Sequence, residues 1–147
     1  MKKLLIALMT LVPSLVFAAG PTVPLDEAEV DLHDKASLQR GAQLYMNYCL
    51  GCHQLQYHRY NRTFEDLGIP QELGEENLQF TGQKAGDRIT NNMSTEAASN
   101  WFGTAAPDLT NVARVRGADW IYTYLRSFYT DDSRPFGVNN AVFPNVG

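Results

Sequence analysis

Five consecutive residues constrain this chain more than any others: Cys49-Leu50-Gly51-Cys52-His53, which read C-x-x-C-H. Two thiols separated by two residues can each add across one vinyl group of a haem, forming two thioether bonds. The imidazole of the next residue then falls beneath the porphyrin, within reach of the iron. Gly51 is expected to permit a sharp turn that a side chain would strain. Other uses of the pattern fit less well. A thioredoxin-like redox C-x-x-C follows a strand and opens a helix, whereas here the helical pattern comes first. A structural zinc site needs four ligands, and Cys49 and Cys52 are the only cysteines. A plain disulfide leaves His53 without a purpose. The motif therefore points to one covalent haem c, attached through Cys49 and Cys52, with His53 on the iron.

Such attachment takes place outside the cytoplasm, and the start of the chain agrees with export. Lys2 and Lys3 precede an apolar run from Leu4 to Phe17, then the small residues Ala18 and Ala19. That is the three-part pattern of a secretory signal peptide. Val16 and Ala18 suit the −3 and −1 positions, which places cleavage after Ala18 and divides the chain into a signal peptide, 1–18, and a domain, 19–147. The run is broken by Pro13 and falls short of the ~20 residues of a membrane span. No later stretch approaches that length. With Lys2 and Lys3 removed, ten basic residues face sixteen acidic ones. That balance excludes nucleic acid as a partner, since phosphate binding needs clustered Lys and Arg, and it suits steering of a basic protein. Seven Tyr, seven Phe and two Trp spread along the chain argue for a packed core rather than disorder.

Residues 19–33 carry Pro21, Pro24 and acidic side chains and read as an extended lead-in. Leu38, Ala42, Tyr45 and Cys49 then fall on one helical face, with Asp34 or Ser37 as its cap and Gly41 suggesting a close helix contact. The segment 63–83, with Gly68, Pro70, Gly74 and Gly82, is expected to be loops and short turns. Ser94 caps a brief helix through Trp101 and Phe102 that Gly103 ends. Asp119 opens a helix whose face is Ile121, Tyr124, Leu125 and Phe128. Residues 131–147 break up again. No alternating strand-like series stands out, so the expected class is mostly α with long loops. Trp101, Phe102, Trp120 and Tyr124 read as core. Tyr57 to Tyr60 has the polar-aromatic mix of a wet haem edge or subunit contact, and His33 and His58 read as surface histidines. No residue is cast as a general acid, base or nucleophile.

The run Tyr45-Met46-Asn47-Tyr48 through the C-x-x-C-H and on to Tyr57-His58-Arg59-Tyr60 resembles the haem-attachment region of the cytochrome c1 family. So do Trp101-Phe102-Gly103 with Ala106-Pro107-Asp108-Leu109, and the stretch from Ala113 to Trp120. The tail from Arg134 to Pro144 is similar to the proteobacterial form of that family. The resemblance implies a c-type cytochrome domain and a haem subunit of ubiquinol–cytochrome c reductase, the cytochrome bc1 complex. Such a subunit sits beside cytochrome b, takes an electron from the Rieske iron–sulfur protein and passes it to a soluble cytochrome c. It implies that Cys49 and Cys52 hold the haem and that His53 is the proximal ligand. Pro107 then belongs to the neighbourhood of that histidine, and Arg114 and Arg116 to a stretch near a haem propionate. The family also leads one to expect a Met as second axial ligand and a C-terminal transmembrane helix, anchoring the domain at the periplasmic face of the bacterial inner membrane. Both are expected beyond Gly147, which reads the chain as incomplete at its C-terminus. Met46 lies one turn before Cys49 on the same helix and is too near to reach the opposite haem face; Met93 lies outside the expected position. A soluble periplasmic cytochrome c, or a haem-based ligand-binding or sensor protein with an open sixth position, are the competing readings.

Overall fold

A computed structural model describes residues 23–146; the signal-peptide reading of 1–18 lies outside them. The lead-in ends at Asp34, whose carboxylate accepts the amide of Ser37 at 2.9 Å and caps α1 (Lys35–Tyr48). The face expected from Leu38, Ala42, Tyr45 and Cys49 is only half-buried. The buried stripe belongs instead to Met46 and Leu50, one turn apart and 6% and 3% exposed. A Cβ on Gly41 would meet nothing within 4 Å, so no close helix contact explains that glycine.

Past the motif the chain makes β1 (Leu55–Arg59), which pairs antiparallel with β2 (Arg88–Ile89) across a register shift. The segment 63–83 is not the loop excursion its glycines and prolines suggest. It lies mostly in two helices, α2 (Tyr60–Leu67) and α3 (Gln71–Leu78). Gly68 closes α2 in the left-handed region, φ 66°, and Pro70 precedes the first turn of α3, so both punctuate helices. Tyr60, Phe64, Leu78, Ala85 and Ile89 join Met46 and Leu50 in one buried cluster, with Tyr45, Leu55 and Ile69 packed against it. The core thus sits directly behind the C-x-x-C-H turn.

Beyond β2, Ser94 caps α4 (Thr95–Phe102) by accepting the amide of Ala97 at 3.0 Å, and Gly103 ends it at φ 77°. Two short helices come next, α5 (Val112–Arg116) and α6 (Ala118–Arg126), joined by Gly117 at φ 87°. The expected face of α6 holds only in part. Ile121 and Tyr124 are half-buried, Leu125 is exposed, and Phe128 begins β3 (Phe128–Thr130) instead of extending the helix. Thr123 is the buried residue of α6, donating to the Asp119 carbonyl and accepting the amide of Asp26 from the lead-in at 2.8 Å. The lead-in is also tied down by Ala28, whose amide donates to the Asp119 carboxylate at 2.9 Å.

β4 (Val138–Asn140) pairs antiparallel with β3. Asn140, fully buried, accepts the amides of Val142 and Phe143 and donates to the Tyr124 carbonyl at 2.8 Å. The architecture is mostly α with long loops, as expected, with two small two-stranded sheets that the sequence did not announce. Among the described residues no helix is long and apolar enough to cross a membrane.

Gly74 is the one described glycine at which a Cβ would meet a neighbour within 4 Å. A Cβ there would lie 2.7 Å from three carbons of the Phe64 ring. Gly74→Ala is expected to lower unfolding free energy by about 1–3 kcal/mol through overpacking. In denaturant titrations, combining it with Phe64→Leu is expected to recover part of that loss.

Candidate haem-binding site

The C-x-x-C-H residues continue α1 as a tight turn. The carbonyl of Tyr45 accepts the amides of Cys49 and Leu50 at 2.9 and 3.0 Å. The carbonyl of Cys49 then accepts those of Cys52 and His53 at 3.1 and 2.8 Å. Gly51 is exposed and lies in the turn, and its φ is not positive, so the turn forms without the left-handed region. Leu50 does more: its buried side chain roots the turn in the core, while its carbonyl accepts the side-chain amide of Asn91 at 2.8 Å. The end of the motif is held by Tyr45, whose hydroxyl donates to the carbonyl of His53 at 2.6 Å. Burial, with Cys49 and Asp108 nearby, pushes the Tyr45 hydroxyl above its ordinary value and keeps it a donor.

Both cysteines are free thiols, Cys49 half-buried and Cys52 exposed. Burial raises the Cys49 thiol and keeps it protonated. The histidine is the decisive element. Its Nδ1 lies 2.8 Å from the carbonyl oxygen of Pro107. A carbonyl only accepts, so Nδ1 carries a proton; the neutral ring then has its lone pair on Nε2, the tautomer that binds a metal. Two free thiols and an oriented imidazole fit covalent attachment and iron ligation by one haem.

Pro107 reaches His53 because its segment is sewn to the residues after the motif. Leu109 donates its amide to the Gln54 carbonyl at 2.8 Å. The Asp108 carboxylate accepts the Gln56 amide on one oxygen at 2.8 Å and the Thr110 amide on the other at 3.0 Å. Burial alone would push the Asp108 carboxyl up, but the hydrogen bonds from Thr110 and Gln56 outweigh it and hold it below the usual carboxylate range. Cys49, Cys52, His53 and Pro107 are therefore brought together. Arg114 and Arg116 are not joined to them by a hydrogen bond or ion pair among the described residues; both are exposed on α5. Arg116 instead places its guanidinium 5.0 Å from the Trp120 ring and 5.8 Å from Phe143.

Trp101 and Phe102 are not core. They are exposed at the end of α4, edge to face with each other at 6.4 Å, and Phe102 lines an open cleft with Phe128, Phe136 and Val138. Trp120 and Tyr124 are half-buried and stacked at 5.0 Å. Of the stretch 57–60, Tyr57, His58 and Arg59 line an open groove of about 380 Å3, but Tyr60 is fully buried. Met93 is half-buried and bonded through its amide to the Asn91 side chain at 3.1 Å. Sequence reasoning passed over Tyr45 as a clamp, Asn91 and Asp108. Only Tyr45, four residues before Cys49, carried a local signal.

A mostly α chain whose first described helix runs into two free thiols and an imidazole held at Nδ1 by a carbonyl has the donor set of a c-type cytochrome. Comparison with known proteins narrows the class. The family model described as "Cytochrome C1 family" matches residues 26–146, and the chain belongs to that family. A cytochrome c1 of Allochromatium vinosum is 53% identical over 100% of this chain and 61% of its own length. The ammonia monooxygenase gamma subunit of Nitrosomonas europaea is 44% identical over 99% of this chain and 62% of its own. A cytochrome c1 of Rhodospirillum rubrum is 27% identical over 80% of this chain and 54% of its own. The chain thus spans 54–62% of the length of these curated relatives. The family carries one covalently bound haem c.

Tyr45→Phe removes the donor to the His53 carbonyl without changing side-chain shape. A loss of about 1–2 kcal/mol in unfolding free energy is expected, the cost of an unpaired carbonyl behind the motif. Urea titration of the variant beside the parent protein measures it.

Proposed function

We propose that this chain is the haem-bearing domain of a ubiquinol–cytochrome c reductase, passing single electrons from a Rieske iron–sulfur protein to a soluble cytochrome c. The observation that carries the reading is the 2.8 Å contact from His53 Nδ1 to the Pro107 carbonyl, beside two free thiols. Haem c, once bound, supplies an iron that alternates between ferric and ferrous states. The chain's own residues do the rest. Cys49 and Cys52 would hold the group through thioether bonds. His53 presents Nε2 to the metal, and the Pro107 carbonyl holds its ring and raises its basicity. Arg114 and Arg116 supply positive charge for the propionates from α5; the ring contacts of Arg116 restrict where its guanidinium can lie.

Family membership supports the complex: cytochrome b and the Rieske protein as neighbours, and an exported protein held at the periplasmic face of the inner membrane by a membrane anchor. Affinity purification of the full-length protein from membranes is expected to bring down cytochrome b and the Rieske subunit. Recovery with monooxygenase subunits instead, as the name of the Nitrosomonas relative would have it, overturns that assignment.

The site assignment has its own test. The protein, made with a cytochrome c maturation system, is denatured and extracted with acidified organic solvent. Haem is expected to stay with the polypeptide. Cys52→Ser is expected to leave one thioether or no stable holoprotein, and His53→Ala to lose the parent spectrum while His33→Ala and His58→Ala keep it. Complete extraction of haem from the parent protein would sink the assignment.

A further inference from the structure

We infer that Asp108 is a positioning residue for the iron ligand: its carboxylate holds the Pro107 carbonyl against His53 and thereby sets how strongly that imidazole binds iron. This rests on the reading of His53 as the ligand. The 2.8 Å contact between His53 and Pro107 joins residues 54 positions apart. Nothing in either residue alone keeps them together. Proline has no amide with which to tie its own position. The carbonyl must be held from its C-terminal side, where the adjoining residue is Asp108.

The two oxygens of Asp108 do different jobs. One accepts the amide of Thr110 at 3.0 Å, a turn that folds the segment back on itself. The other accepts the amide of Gln56, three residues past His53, at 2.8 Å. A single side chain therefore shapes the loop that bears the carbonyl and fastens it to the strand that leaves the histidine. Leu109 adds a backbone bond to Gln54 at 2.8 Å, which orients the same segment but belongs to no side chain. A charged acceptor makes each of its bonds stronger than a neutral one. Asp108 does not touch the imidazole itself; it acts on the ring by holding the Pro107 carbonyl that His53 Nδ1 meets.

The consequence is electronic as well as structural. A hydrogen bond donated from Nδ1 gives the imidazole more anionic character and makes Nε2 a better donor. A better donor favours ferric over ferrous iron, so loosening the bond raises the midpoint potential.

The test uses the haem-loaded, full-length protein with Asp108→Asn and Asp108→Ala. Asparagine keeps one oxygen acceptor and the shape; alanine keeps neither. Potentiometric titration is expected to give a higher midpoint for both, larger for alanine. Proton exchange at His53 Nδ1, monitored by NMR, is expected to speed up by about tenfold or more in the alanine variant, the factor of roughly one hydrogen bond. Asp108→Glu, which restores the charge, is expected to move the potential back toward the parent. If alanine does not yield folded protein, the asparagine variant decides alone. Unchanged potential and exchange beside a lowered melting temperature would make Asp108 merely structural and overturn the inference. So would an asparagine variant that takes up no haem, because assembly and not ligand tuning would then be its role. A parent protein without a histidine-ligated spectrum would instead overturn the reading of His53, independently of Asp108.

Discussion

The structure depends on one stitched seam, where residues 107–110 lie against residues 53–57. Four bonds make it: His53 to Pro107, Leu109 to Gln54, Gln56 to Asp108, and Tyr57 to the Thr110 hydroxyl. Closing a loop of about fifty residues costs chain entropy, though the cost grows only slowly with length. The residues inside that loop repay it, because they are not slack. They form α2, α3, β2 and α4, and their Tyr60, Phe64, Leu78, Ala85 and Ile89 make up most of the buried cluster. The seam and the core are thus two ends of one closure.

The C-x-x-C-H turn draws on that closure through its least conspicuous residue. Leu50 stands between the cysteines and has no chemistry to offer, yet it is 3% exposed and part of the core. With Met46 one turn earlier it forms the stripe that packs α1 down. The cysteines at either side are therefore carried on a rooted element, the condition for a site that holds its geometry. The carbonyls of Cys49, Leu50 and His53 all have partners, from the turn itself, from Asn91 and from Tyr45. A turn whose polar groups are satisfied this fully has little freedom to splay.

What the sequence made legible was local. Asp34 as cap of α1, Ser94 and Gly103 at the two ends of α4, and the C-x-x-C-H itself are each contained within a few residues. The helices α2 and α3 were hidden because Gly68, Pro70 and Gly74 suggest loop, while in fact the first two mark helix ends and the third makes room for Phe64. The strands were hidden because two to five residues give no periodicity to read. Trp101 and Phe102 misled in the opposite way, since aromatic size predicts burial only where a partner element exists. At the site, Pro107 was reachable only through family likeness. Its contact with His53 spans 54 positions, and no spacing rule covers that distance. Asp108 and Asn91 are polar residues in loops, alike in sequence to many solvated neighbours.

The seam also fixes where the second half of the molecule lies. The carbonyl of Leu109 accepts the amide of Val112 at 3.1 Å, so the segment that presents Pro107 runs without slack into α5. Arg114 and Arg116 are carried at set offsets from the histidine's partner for that reason. Arg116 is restrained further by Trp120 and Phe143, and Phe143 is in turn set by the buried Asn140, which accepts its amide at 3.1 Å. Asn140 is itself bonded to the Tyr124 carbonyl of α6, which closes the circuit on the helix that bears Trp120. A guanidinium between two rings keeps its charge while losing rotamer freedom, so positive charge is held in place without burying it. The same backbone run that sets the Pro107 carbonyl against His53 thus leads directly into the helix that carries Arg116.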